Sequence, residues 1–193
     1  KVYEAGLRKP NIYTSLINVS LKSGDTTTAM NYATEGLHLF PEDFSILIAE
    51  TNIFLAKNMT EQALKNLEIA KSLDQTNPSI FFAVGVSYDR LGNFQKAEEA
   101  YLKAIELKPD YFDAIYNLGA HYVNKAATTL DEANLLPLEK EKEYNEMKNL
   151  AESHLDKAIP FLEKAHQLDP KDRNTIASLK EITVCCSPPN LRI

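Results

Sequence analysis

Apolar residues recur along this chain at steps of three and four positions. The clearest stretch carries Phe81, Val84, Tyr88 and Leu91. Such steps place apolar side chains on one face of an α-helix. Glycine, asparagine and proline separate the stretches, and these residues favour turns or end helices. The pattern therefore predicts an all-α chain of short amphipathic helices.

Small and large residues also repeat along the chain with a period of 34 positions. The small series are Ala29, Ala63 and Ala97, and then Gly36, Ala70 and Ala104. The large apolar series is Tyr13, Leu47, Phe81 and Ile115. Small residues let two helices approach closely, while large ones fill the grooves between neighbouring helices. The period therefore predicts repeated helix-turn-helix units.

The same period sets the predicted boundaries along the chain. The end of an upstream helix is expected at residues 1–9, followed by repeats at 10–43, 44–77, 78–111 and 112–172, a capping helix at 173–183 and an irregular tail at 184–193. We expect the natural protein to extend further upstream. The fourth repeat carries a 27-residue insertion, because Ala158 follows Ala97 by 61 positions instead of 34. Apolar residues continue at helical steps through the insertion, so both helices of this repeat are predicted to be longer, with a turn at 134–137.

The third repeat has the most specific pattern. It places large, small, aromatic and proline residues at Phe81, Val84, Gly85, Tyr88, Ala97, Tyr101, Ala104 and Pro109. On these residues the chain resembles the tetratricopeptide-repeat family. The resemblance implies a right-handed α-solenoid of antiparallel helix pairs, a superhelix with one enlarged helical hairpin. In the second repeat, Glu50 and Thr51 replace the usual aliphatic residue and glycine, which we expect to loosen that helix crossing.

A second resemblance concerns the segment "IYNLGAHYVNKA" and the enlarged helix pair that follows it. This part of the chain is similar to exported tetratricopeptide proteins of Bacteroidales-type bacteria. The residues themselves do not indicate a compartment. The resemblance favours the cell envelope or periplasm over the cytoplasm.

Composition and charge narrow the classes of partner. The 193 residues are 44% hydrophobic and 25% charged, which is typical of a globular chain. The formal net charge is −6, so the chain lacks the basic field that nucleic acids and anionic membranes attract. No apolar run approaches the roughly 18 residues of a membrane span, so no membrane insertion is expected.

Catalytic and metal-binding patterns are not found in the sequence. None of the local phosphate-binding, zinc-protease or nucleophile motifs occurs. The four histidines are dispersed, without a second histidine or a cysteine at ligand spacing. Cys185 and Cys186 are adjacent and have no second cysteine pair. We therefore expect a protein that is not an enzyme and that uses no metal or cofactor.

The resemblance implies a concave groove lined by the first helix of each repeat. Carried onto this sequence, the groove residues are Asn18, Ile48, Asn52, Phe82, Val86, Asp89, Arg90, Tyr116 and Asn117. Asn18 and Asn52 lie one period apart, so their amides can pair with the main chain of an extended peptide. The alternative is that they only solvate the groove, while its apolar residues pack against neighbouring repeats. Family members that hold a peptide carboxylate use cationic residues where this chain has Thr14, Ser79 and Ala83, so carboxylate recognition is not expected.

Two function hypotheses follow. The first is a non-catalytic interaction scaffold that binds a peptide segment of another protein in the groove. The alternative is a structural assembly module that forms a homodimer or larger oligomer through the long hairpin or a solenoid end. Light scattering coupled to size-exclusion chromatography separates the two, because a clean monomer favours groove binding.

Overall fold

The computed structural model describes residues 8–185, and every regular element in this range is helical. The α-helices are α1 (Pro10–Lys22), α2 (Thr26–Leu39), α3 (Phe44–Ala56), α4 (Thr60–Leu73), α5 (Pro78–Arg90), α6 (Phe94–Leu107), α7 (Phe112–Asn134), α8 (Glu141–Leu168) and α9 (Arg173–Cys185). A short 3-10 helix, Leu138–Lys140, precedes α8. None of the described helices is both long and apolar enough to cross a bilayer.

The two chain ends lie largely outside the described residues. Of the upstream helix end expected at 1–9, only Arg8 and Lys9 are described, and neither is helical. Of the tail expected at 184–193, only Val184 and Cys185 are described. Both belong to α9, which extends to Cys185.

The chain divides into two compact units, residues 1–92 and residues 93–193. In the first unit, α1 packs on α2 and α3, α3 packs on α4, and α4 packs on α5. In the second unit, α6 packs on α7, and α7, α8 and α9 pack on one another. The three-residue connections within the first unit join helices that must run antiparallel.

The core of the first unit forms where small residues bring helices together. Tyr13, Ile17 and Ile46 are fully buried beside the alanines of α2. A Cβ added at Gly36 would lie 3.1 Å from the Ile46 Cδ1 and 3.2 Å from the Tyr13 Cβ. Gly36 therefore leaves room for the large side chains of α1 and α3.

In each of the first three repeats, the turn after the first helix has the same backbone conformation. Gly24, Asn58 and Gly92 have φ values of +80°, +57° and +69°. They lie 34 residues apart. Glycine adopts this left-handed region without steric cost, and asparagine is among the few other residues that tolerate it. The turn residue is therefore part of the repeat even where its identity changes.

A buried carboxylate joins the two helices of the second repeat to each other and to the second helix of the first repeat. Glu50 on α3 is 6% exposed. Its Oε1 accepts a hydrogen bond from the Thr34 hydroxyl of α2 at 3.1 Å, and its Oε2 accepts one from the Asn66 amide of α4 at 2.8 Å. The Thr51 hydroxyl donates to the Leu47 carbonyl at 2.7 Å. The expectation that Glu50 and Thr51 loosen this crossing is wrong, because hydrogen bonds from two neighbouring helices satisfy the carboxylate.

The second unit contains the enlarged hairpin, formed by α7 with 23 residues and α8 with 28. This feature of the predicted fold class is confirmed. At the distal end of this hairpin, every side chain from 134 to 150 is exposed except Leu136 and Met147, which are half-buried. Pro137, the last residue of the predicted turn at 134–137, directly precedes the 3-10 helix, and α8 begins at Glu141.

Candidate peptide-binding groove

A cleft of about 210 Å³ opens in the first unit between α3 and α5. It is lined by Phe44, Ile48, Thr51, Asn52, Leu67, Asn77, Ser79, Ile80 and Ala83. Most of these residues come from the first helices of two successive repeats. Two of the groove residues predicted from the sequence, Ile48 and Asn52, thus lie in the same cleft.

The cleft has an apolar floor and a polar rim. Leu67, Ile80 and Thr51 are buried and form the floor. Because the Thr51 hydroxyl is engaged by its own helix, it adds no free donor there. Asn52 and Ser79 are exposed on the rim. Within residues 8–185, no hydrogen bond from the protein occupies the Asn52 amide, so both its donor and its acceptor can meet a ligand.

The other predicted residues of the first unit lie outside this cleft. Asn18 is exposed on α1, which packs beside α3, and it occupies the same position in α1 that Asn52 has in α3. Phe82, Val86 and Asp89 are half-buried on α5. Arg90 is exposed at the end of α5, where its guanidinium donates to the Leu55 carbonyl at 3.3 Å.

The remaining predicted residues, Tyr116 and Asn117, lie on α7 in the second unit. The Tyr116 ring stacks on Phe112, with centroids 6.2 Å apart and an interplanar angle of 7°. The Asn117 amide donates to the Asp113 carbonyl of its own helix at 2.7 Å. A ligand of Asn117 would have to compete with that bond for one of the amide hydrogens.

No lysine or arginine lines the α3/α5 cleft. Recognition here would use apolar burial and amide hydrogen bonds, since there is no cation to hold a terminal carboxylate. The Asn77 side chain is already committed, because its Oδ1 caps α5 by accepting from the Ser79 backbone N–H at 3.1 Å.

Sequence reasoning missed Phe44 and Leu67 as lining residues. Phe44 precedes Ile48 by four positions, and Asn52 follows by four more. This spacing was a usable signal, because residues four apart share one face of a helix. Leu67 comes from the second helix of its repeat, so its place in the floor depends on how α4 packs.

Two buried histidines lie in the second unit. His121 is surrounded by aromatic rings, with centroids 5.4 Å from Phe94 and 5.6 Å from Tyr122. The Tyr122 hydroxyl donates to Glu98 at 2.8 Å, and its burial together with this bond raises the pKa of Tyr122. His154 on α8 is 6% exposed. No group of three histidine, cysteine or acidic residues in the described part of the chain is placed to hold a metal ion.

The pKa of His154 lies below its ordinary value of 6.5. Burial is the main cause, Lys125 and Lys157 add to it, His121 adds slightly, and Glu98 opposes it. The unfolded chain therefore binds a proton at a pH where folded His154 is neutral. Neutral His154 therefore makes its full contribution to folding stability above about pH 6.5. This contribution is lost as the pH falls through the pKa that His154 has in the folded chain.

We accordingly expect the Tm of the wild-type chain to fall between about pH 7 and about pH 5 by more than that of His154→Gln. Thermal denaturation followed by circular dichroism at several pH values measures both slopes. His38→Gln, at an exposed position on α2, is the matched control and should keep the wild-type slope. An unchanged slope in His154→Gln would contradict the prediction.

Comparison with known proteins identifies the repeat. Residues 78–111 match the family model described as tetratricopeptide repeat. A relative, the tetratricopeptide repeat-containing protein trd-1 of Caenorhabditis elegans, is 29% identical over 118 residues, or 60% of this chain. This chain spans only 15% of the length of that protein. The third repeat thus matches a tetratricopeptide repeat in sequence.

Solved structures show the same fold. A crystal structure of MamA has a TM-score of 0.65 and 18% identity, covering 88% of this chain and 94% of that one. The structure of YrrB, described as a TPR protein with an unusual peptide-binding site, has a TM-score of 0.58 and 17% identity, covering 92% of this chain and 95% of that one. The fold class predicted from the sequence is confirmed.

Proposed function

We propose that this chain is a non-catalytic interaction module whose first unit binds an extended segment of a partner protein in the α3/α5 cleft. The observation that carries the proposal is the cleft itself, with a buried apolar floor beside the exposed Asn52 amide. An apolar side chain of the partner would enter between Ile48 and Ala83. The Asn52 amide would donate to and accept from the partner's main chain.

The neighbouring repeat supports an extended ligand. Asn18 occupies on α1 the position that Asn52 occupies on α3, and α1 packs beside α3. Two amides at equivalent positions of adjacent helices suit successive peptide groups of one chain. YrrB, which has this fold, is described as having a peptide-binding site.

Phe82, Val86, Asp89 and Arg90 would contact parts of the partner that extend beyond the cleft along α5. The family resemblance also implies a groove role for Tyr116 and Asn117, and this role remains a prediction from the sequence. The resemblance to exported Bacteroidales-type proteins, and the envelope location that it favours, also remain predictions.

A peptide selection with matched variants tests the cleft. Peptides are selected from a random phage-displayed library on the immobilised full chain, and their affinities are measured by fluorescence anisotropy. Ile48→Arg should weaken the selected peptides by at least about tenfold, or about 1.4 kcal/mol, because the arginine fills the cleft. Asn52→Ala should weaken them less, through loss of the main-chain hydrogen bonds.

Control substitutions on α2 and α4 distinguish binding in the cleft from nonspecific binding of the peptides to the protein surface. Ile69→Arg on α4 and Asn31→Ala on α2 make the same chemical changes at exposed positions and should leave the affinities unchanged. Phe82→Ala tests the wider face of α5 outside the cleft. Peptides that bind Ile48→Arg as tightly as the wild type would overturn the proposal.

A further inference from the structure

The distal end of the long hairpin carries a second cavity, far along the chain from the α3/α5 cleft. We define the hairpin tip as residues 131–146, comprising the last turn of α7, the connection and the start of α8. A cavity of about 320 Å³ lies there, lined mostly by apolar side chains that include Leu136, Pro137, Leu138 and Tyr144. This volume is at the lower end of the roughly 300–1,000 Å³ of ligand pockets, so it suits one or two side chains.

Large apolar residues are strongly exposed around this cavity. Leu138, which lines the cavity, is 97% exposed, and Leu135, the chain neighbour of the lining residue Leu136, is 84% exposed. Tyr144, which lines the cavity, is 37% exposed. Single exposed apolar residues are common, but a group of them rimmed by charges around a cavity is typical of an interaction surface. Among the described residues of the second unit, the neighbours of this group from 139 to 146 are all exposed, so none of them covers it.

The hairpin tip is strongly acidic. Residues 131–146 contain six carboxylates and two lysines, a net charge of −4 in a chain whose total is −6. Both lysines are already paired, Lys140 with Glu143 at 2.8 Å and Lys142 with Glu146 at 3.7 Å. This leaves four carboxylates of the tip without a lysine or arginine partner among the described residues: Asp131, Glu132, Glu139 and Glu141.

Two of these charges stand where a helix disfavours them. Asp131 and Glu132 lie in the last turn of α7, which holds no basic residue. The backbone carbonyls at a helix C-terminus already carry partial negative charge, so cations stabilise this end and carboxylates do not. The acidic residues here do not stabilise the hairpin itself, whereas they would attract a cationic ligand.

We propose that the hairpin tip is a second binding surface, for a basic segment of another protein that inserts a large apolar side chain. The anchor, of leucine or phenylalanine size, would fill the cavity against Pro137, Leu138 and Tyr144. Lysine or arginine residues beside the anchor would pair with Glu139, Glu141 and the carboxylates at the end of α7. The apolar anchor supplies affinity, and the surrounding charges steer the encounter.

Charge decides between this partner and a second copy of the chain. Two hairpin tips brought together would each carry −4, and like charges facing across an interface are repulsive. An anionic membrane is disfavoured for the same reason. A basic segment has the complementary charge and offers the apolar contact that the exposed leucines require.

The test uses a fluorescein-labelled peptide of about 14 residues that alternates lysine pairs with leucine and carries one central phenylalanine. Its binding to the full chain is measured by fluorescence anisotropy at about 50 and about 200 mM salt. Leu138→Ser should weaken binding by at least about fivefold through loss of the apolar contact. Glu139→Gln with Glu141→Gln should weaken it similarly at low salt and reduce its salt dependence.

Matched controls lie on α8 outside the tip. Leu150→Ser removes a half-exposed leucine, and Glu152→Gln with Glu163→Gln removes two exposed carboxylates, so neither should change binding by more than about twofold. A peptide in which serine replaces leucine and phenylalanine should lose most of its affinity. Amide shifts of the labelled chain should cluster in residues 131–146.

Three results would overturn the proposal. The first is no binding of the basic apolar peptide. The second is equal binding of the serine peptide or equal weakening by the control variants, which would reduce the effect to general charge attraction. The third is a wild-type dimer in sedimentation that Leu138→Ser converts to monomer, which would identify a second copy as the occupant. None of these measurements depends on the α3/α5 cleft.

Discussion

Gly119→Ala is expected to lower the stability of the chain, although an alanine in an open helix is more stable than glycine by about 1 kcal/mol. A Cβ added at Gly119 would lie 2.7 Å from both the Cγ and the Cδ2 of Leu162 on α8, and 3.4 Å from the Leu162 backbone nitrogen. Leu162 is fully buried and cannot swing into solvent. Overpacking of this kind costs about 1–3 kcal/mol.

A double-mutant cycle identifies the cause. Leu162→Ala alone should cost about 2–5 kcal/mol by leaving a cavity. In Gly119→Ala with Leu162→Ala, the added methyl group enters the vacated space, so the double variant should lose less than the two single losses combined. Chemical denaturation of the full chain measures all three. Gly36→Ala is a graded control with a smaller loss, because its closest contacts are 3.1 Å or longer. An increase in stability for Gly119→Ala would contradict this account of the crossing.

Asn66→Leu should be strongly destabilising although it adds apolar volume to a buried site. It removes the donor that bonds the buried Glu50 carboxylate at 2.8 Å. A buried acceptor left without its donor costs about 1–3 kcal/mol, and more when it is charged. Thr34→Ala should cost much less, because Thr34 is exposed and water can replace its hydroxyl.

The compensating variant distinguishes hydrogen bonding from packing. Glu50→Leu with Asn66→Leu removes both partners and restores the aliphatic residue that tetratricopeptide repeats usually have at this position. Replacing both members of a buried polar pair by apolar groups can be nearly neutral. The double variant should therefore regain most of the stability that Asn66→Leu loses, as measured by thermal and chemical denaturation. If Asn66→Leu is neutral alone, the carboxylate is not held by this bond.

Most of the architecture could be predicted from spacing. Small residues recur every 34 positions because each repeat must bring its helices together at the same point. The turn series of Gly24, Asn58 and Gly92 follows the same rule through backbone conformation. The enlarged hairpin was predictable for a related reason, since the shift of the small series by 27 residues was accompanied by uninterrupted helical spacing.

The candidate cleft could be predicted only in part. Ile48 and Asn52 follow from the family resemblance and from their shared helix face. Leu67 joins them only because α4 packs behind α3 and brings a second helix to the floor. The remaining predicted groove residues share the family position but lie outside this cleft.

What the amino-acid sequence determined was the class of fold, the period, the turns and the acidic balance, because each depends on residue types at short or regular spacing. Only the tertiary structure decided that Glu50 bonds to Thr34 and Asn66, each sixteen residues away on another helix. It also decided that the exposed side chains of Leu138 and Tyr144 line a cavity at the hairpin tip. These features depend on distances between helices, which the crossing geometry sets and the local pattern does not specify.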